Sequence, residues 1–284
     1  MLPTADALDA LLDPWRSGIG ARALAETLLI ALAAGPLGCW VVLYRLSYGA
    51  ESLAHAMFPG LVIAALAGFS LPLGAALGVA VAAPSIALAG RLPTIGGDTA
   101  IAVVVTSLFG AGALLALAPD TPAGVQDLLF GDVLGVSDSD ILLSAALAVV
   151  VLTSLRAAHA TLLAVGFDRA NARAFGASPR AADALLLGLV GAFTVVAVQA
   201  LGTLLVLAML VAPAATAALV THRLQAMMAL ATLLAAACAA GGIYLSYYAD
   251  TAAGASIAAV LVTVHIATAL ALKARPMSRL EPAH

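Results

Sequence analysis

Nine apolar runs, each close to the ~20 residues that a helix needs to cross a bilayer, govern what this chain can become. They cover roughly 23–44, 49–68, 71–90, 99–118, 140–163, 183–200, 202–220, 225–245 and 252–272. Rich in Ala, Leu and Val and lacking the period-2 alternation of barrel strands, they read as helices, which satisfy their own backbone inside lipid. Of 284 residues, 63% are hydrophobic and only 10% are charged. Soluble domains run at roughly 45–50% and about 25%. The fold class is therefore all-α: a polytopic membrane helix bundle, with 23–272 as a single transmembrane domain of about 8–9 membrane-spanning helices.

The charges give the bundle a direction. Ten of the twelve basic residues lie at alternate ends of the runs: Arg45, Arg91, Arg156, Arg169, Arg173, Arg180, Arg223, Lys273, Arg275 and Arg279. By the excess of Lys and Arg on inner loops those ends are cytoplasmic, so the chain begins outside and 273–284 is a cytoplasmic tail. Residues 1–22 carry Asp6, Asp9 and Asp13 and no basic n-region, which excludes a secretory signal peptide. Leu8, Leu11, Leu12 and Trp15 fall at helical spacing there, as in a short extracytoplasmic surface helix, and an unstructured tail is the other reading. The outer loop 119–140 holds five aspartates and no base, and residues 126–134 suit a small helix over the outer mouth. Cys39 and Cys238 lie inside apolar runs and read as small packing residues.

Helix punctuation occurs at Gly35-Pro36, Pro59-Gly60, Pro72, Pro84 and Pro213, and the run from Gly202 reads as broken at Pro213. Broken helices suit a transporter, whose protein-lined cavity re-satisfies freed backbone groups. Into this apolar setting the second run brings Glu51 and His55, four residues apart and so on one helical face. An acid and an imidazole at membrane depth mark a functional site, here one able to share a proton or hold a cation. Beside that stands a plainer reading, in which Glu51 caps or salt-links its own helix and His55 is a satisfied buried imidazole. His265 has no acid one turn away and reads as packing; His159 and His222 read as surface residues beside arginines.

The long inner loop, Gly166 to Arg180, reads as a short surface helix over 167–176, with Phe167 stapling its start and Gly176 stopping it before Pro179. As a plain connector it needs no further role. As a docking element it would offer Phe167 as apolar anchor and its arginines as polar rim.

The ordered set of motifs Gly49–Gly60, Leu129–Leu134, Phe167–Gly176, Gly202–Val206 with Pro213–Ala217, and Ser246–Asp250 resembles the permease subunits of zinc and manganese ABC importers, the ABC-3 family. The likeness runs from about residue 24 to 270. It implies a type II importer-like permease that pairs with a second copy of itself, two cytoplasmic ATPases and an extracytoplasmic metal-binding protein in the inner membrane of a bacterium. It also implies that Glu51 and His55 contact the passing metal, and that Phe167, Asp168, Arg169, Arg173, Phe175 and Gly176 form the coupling element that meets the ATPase. Where the family carries Asp, this chain has Glu51, which keeps an oxygen donor and moves it. Carboxylate and imidazole suit Zn²⁺ or Mn²⁺, zinc being favoured and manganese next.

No Gly-x-x-x-x-Gly-Lys-Ser/Thr loop occurs, so ATP is expected on a partner and no permanently bound cofactor on this chain. The chain is accordingly expected to be a transport subunit, not an enzyme. The absence of HExxH, GxSxG and paired intramembrane aspartates sets an intramembrane enzyme aside, and nothing calls for nucleic acid. A proton-coupled secondary metal transporter is the competing expectation, since it would use the same acid and imidazole without an ATPase.

Overall fold

Ser17 opens the first long helix by accepting the Gly20 amide N–H on its hydroxyl at 2.9 Å, and α1 then runs over Gly18–Leu43. The computed structural model describes residues 13–89, 97–118 and 131–274, and among them there is no strand. After α1 come α2 (Ser47–Ala56), α3 (Phe58–Ala67), α4 (Leu71–Ala89), α5 (Gly97–Ala116), α6 (Asp138–Phe167), a 3-10 turn (Ala172–Phe175), α7 (Pro179–Val220), α8 (Leu224–Ala249) and α9 (Ala253–Lys273). Among the described residues seven helical stretches are long and apolar enough to cross a membrane, and Leu71–Ile86 and Leu205–Val220 are shorter apolar ones. These correspond to the nine runs.

α1 is the post around which the bundle is built. It packs against α6, α7 and α8, burying Ile30, Leu37 and Trp40. Small residues set its distances: a Cβ on Gly38 would fall 1.9 Å from the Leu210 carbonyl oxygen, and one on Gly35 2.2 Å from the Thr232 hydroxyl. Such approach lets helix backbones touch where lipid offers no hydrophobic drive for association. Polar ties add to it. Glu26, 1% exposed, accepts the Ser144 hydroxyl of α6 at 2.5 Å, and Arg22 pairs with Asp138 at 3.0 Å. At the other end the Tyr44 hydroxyl donates to the Leu162 carbonyl at 2.7 Å. Both cysteines are buried and free.

α2 to α5 form a second group laid against α7. α2 and α3 meet end to end at Met57, just before Pro59, and together make one 21-residue span in which Met57 keeps a helical conformation. Here punctuation coincides with a joint. At Pro36, Pro84 and Pro213 it does not, because the helix passes through each.

The α7 run instead breaks at Gly202, with φ +71° and ψ 165°, and the expected interruption at Pro213 is corrected accordingly. A straight run of 42 residues would measure about 63 Å, twice the ~30 Å hydrocarbon core. Its start pairs Asp183 with Arg169, while Ala214 and Ala217 pack on Cys39 near the same end of α1. The chain therefore turns back at Gly202, a conformation that Gly adopts without steric cost.

Further expectations are revised or fall partly outside the described residues. A helical turn covers 13–16, and residues 1–12 lie outside. Of the expected 126–134 helix, 126–130 lie outside; 131–136 form turns instead. Tail residues 275–284 also lie outside.

Gly38→Ala should lower the thermal midpoint of the detergent-solubilised protein, since overpacking costs about 1–3 kcal/mol. Gly188→Ala, with nothing within 4 Å of its added Cβ, should leave that midpoint unchanged. A scanning fluorescence melt of both checks the pair.

Candidate functional site

Because α2 is helical through Ser47–Ala56, Glu51 and His55 do share a face one turn apart. Their nearest atoms, Glu51 Oε1 and His55 Nε2, are 4.0 Å apart, too far for a hydrogen bond. A cation bound by both at about 2.0–2.2 Å would draw them to roughly 3.3 Å, a rotamer adjustment. The side chains are 48% and 27% exposed, so this face is open on the single chain. The His55 ring lies edge-on to Phe109 of α5 at 5.2 Å, which fixes the imidazole plane. Its Nδ1 is buried with no hydrogen-bond partner, so the satisfied core imidazole is not what the structure shows. Among the described residues no cluster of three or more His, Cys, Asp or Glu could hold a metal ion. One copy supplies two donors.

A cavity of about 600 Å³ lies behind α2, lined by Gly49, Ser52, Leu53, Gly188 and Gly191 among others. It is apolar, and neither Glu51 nor His55 borders it.

The expected surface helix over 167–176 is shorter than its sequence suggests. Phe167 ends α6 instead of stapling a new helix and is 95% exposed. The carboxylate of Asp168 then gathers the turn: it accepts from the Ala170 and Asn171 amides at 3.0 Å each and from the Asn171 side chain at 2.7 Å. The Asn171 backbone N–H, then its side-chain amide, hold this carboxyl below the usual range. One 3-10 turn, which includes Phe175, follows and closes at Gly176 with φ +75°, the stop that was expected. Arg169 reaches Asp183 of α7, and Arg173 stays exposed. The Asp168 cap and the Arg169 strap were missed; an Asp two and three residues before the amides it accepts is the signal that would have found the first.

Elsewhere, His265 is tied to α7 by a 2.9 Å hydrogen bond between Nδ1 and Thr216 Oγ1, in keeping with its packing role. Tyr244, Tyr247 and Tyr248 cluster at the end of α8, with ring centroids 4.8 and 5.1 Å apart.

A bundle of broken membrane helices, with an acid–imidazole pair open on one face and a capped turn at the arginine-bearing end, is the architecture of a transport channel subunit. Residues 19–272 match the ABC 3 transport family, and the chain belongs to that family as a multi-pass permease of the bacterial cytoplasmic membrane. It is similar to the manganese transport system membrane protein MntC of Halalkalibacterium halodurans, 34% identical over 244 residues, covering 86% of this chain and 84% of that protein. It is also similar to the chelated iron transport system membrane protein YfeC of Yersinia pestis, 31% identical over 259 residues, 91% and 88% of the two chains. Among solved structures, PsaBC from Streptococcus pneumoniae in complex with Fab matches with TM-score 0.84 and 27% identity, over 92% of this chain and 95% of that one.

Asp168→Ala should make the 169–176 turn more susceptible to limited proteolysis in membrane vesicles, leaving the protein's abundance unchanged; gel analysis of the fragments checks this.

Proposed function

We propose that this chain is the membrane-spanning permease of an ATP-driven divalent-metal importer and works as a homodimer, with Glu51 and His55 contacting the ion in transit. The observation that carries the reading is the open pair itself: two donors 4.0 Å apart, held by helix and aromatic neighbour, with no third His, Cys, Asp or Glu grouped with them among the described residues. An exposed Glu at membrane depth needs protein or water over it, not lipid. A two-fold axis beside α2 would cover it and turn two donors into four. The same dimer would place the ions' route between the copies.

The metal we favour is manganese or iron, because MntC and YfeC carry those ions by name. Those names lend no support to the lean towards zinc that the donors alone suggested, although a carboxylate and an imidazole would serve zinc as well. In this reading the arginine-bearing ends are cytoplasmic, and an extracytoplasmic metal-binding protein delivers the ion. ATP is hydrolysed by a separate pair of ATPases that dock on the 167–176 segment, with Phe167 as anchor and Arg173 at the rim. The Arg169–Asp183 pair then fastens that docked turn to α7, so that closing the ATPases moves the wall of the pathway and switches its open side.

Radioactive Mn²⁺ uptake by cells carrying Glu51→Gln or His55→Ala tests the site. At matched membrane abundance each should lose at least about ten-fold, since even a residue that merely supports a metal ligand costs 10–100-fold. Full uptake in both would remove the site, and uptake that survives loss of the ATPase but collapses with the proton gradient would favour a secondary transporter. Separately, Phe167→Ala should reduce the ATPase that co-purifies, without altering membrane insertion.

A further inference from the structure

The break in α7 is filled by another piece of the chain. A Cβ placed on Gly131 would lie 2.3 Å from the Gly202 nitrogen, 2.3 Å from the Leu201 carbonyl carbon and 2.5 Å from the Ala200 oxygen. Backbone therefore rests directly on backbone there, and both glycines have positive φ, +73° and +71°. Next to this contact the Asp132 amide donates to the Gln199 carbonyl at 3.3 Å, in the last turn before the break. The two motifs involved lie some 70 residues apart in sequence, and metal contact and ATPase docking account for neither.

The segment that reaches in is tied to the start of α6. Asp132 Oδ1 accepts the Gly135 amide at 2.9 Å, and Val133 and Val136 are buried in the main core. Ser137 and Asp140 then form a capping box, and Asp138 pairs with Arg22. On the other side of the contact, the Thr203 hydroxyl is buried with no hydrogen-bond partner. No hydrogen bond from the Thr203 side chain therefore ties the break to its surroundings. The part of α7 before Gly202 is a continuous helix that begins beside the 3-10 turn and carries Asp183, the partner of Arg169. A push on that turn travels along a stiff rod to Gly202.

We propose that residues 131–136 are a closure seated in the α7 break, which must lift from Gly202 for the opposite end of the bundle to open. This rests on the transport reading above. The 3.3 Å backbone hydrogen bond from Asp132 to Gln199 makes these two positions the pair to join by a disulfide, which gives the test. The Asp132→Cys/Gln199→Cys chain is prepared with its ATPase in membrane vesicles, beside a parent that keeps Cys39 and Cys238, and both are oxidised with copper phenanthroline. The pair should cross-link readily without nucleotide, and at least five-fold more slowly when the ATPase is trapped with ADP and vanadate. Failure to cross-link without nucleotide, or the same rate in both states, overturns the proposal, and neither result depends on metal uptake. Cross-linked vesicles should also lose at least ten-fold in Mn²⁺ uptake and recover it with dithiothreitol; undiminished uptake while cross-linked overturns the closure as well. A parent that takes up no Mn²⁺ at all strikes at the transport reading, while the nucleotide-dependent cross-linking still decides the closure.

Discussion

Inside lipid a backbone amide has no water to turn to, and this requirement bears on each departure from helix within the membrane-spanning part of the described chain. Straight passes satisfy themselves, so the chain can cross almost anywhere. A break needs either protein or a water-filled cavity against it. The turn at Gly202 is covered by Gly131 and Asp132, and the joint at Met57 is packed so closely on α4 that a Cβ at Gly78 would meet the Met57 Cα at 2.7 Å. Both interruptions belong to elements that border the proposed route of the ion. α1, which bears the packing load, passes through Pro36 without a stop.

The donors occupy a helix of the peripheral group, not the post. α1 is surrounded by α6, α7 and α8 and pinned through Glu26, Arg22 and Tyr44. α2 is ten residues long, carries its two ionisable groups on an open face and packs its other side on α7 and α5, with the His55 ring edge-on to Phe109. In the proposed transport role a rigid wall and a short helix would divide the work: one keeping the bundle assembled, the other meeting the cargo.

The sequence made much of this readable, because hydropathy and length report directly on the bilayer. The nine passes, the all-helical class and the shared face of Glu51 and His55 all follow from spacing. Helix breaks were harder. Proline marks where an amide is missing, yet Pro36, Pro84 and Pro213 are absorbed within continuous helices, and the decisive turn fell on Gly202 in an unremarkable apolar run. Glycine there looks the same as the many glycines that only allow close packing; what distinguishes it is contact with Gly131, a partner far away in sequence. The 167–176 segment misled for a local reason. Helical spacing of Ala170, Arg173 and Ala174 suggested a helix, whereas the Asp168 carboxylate captured the amides first and held the chain to a single tight turn.

The apolar cavity behind α2 gives the donor helix a property that its own sequence does not reveal. Three of its lining residues, Gly49, Gly188 and Gly191, are glycines, so α2 faces α7 there across bare backbone. The helix that carries Glu51 and His55 thus has a smooth rear face, on which any larger residue would have to find room in the groove.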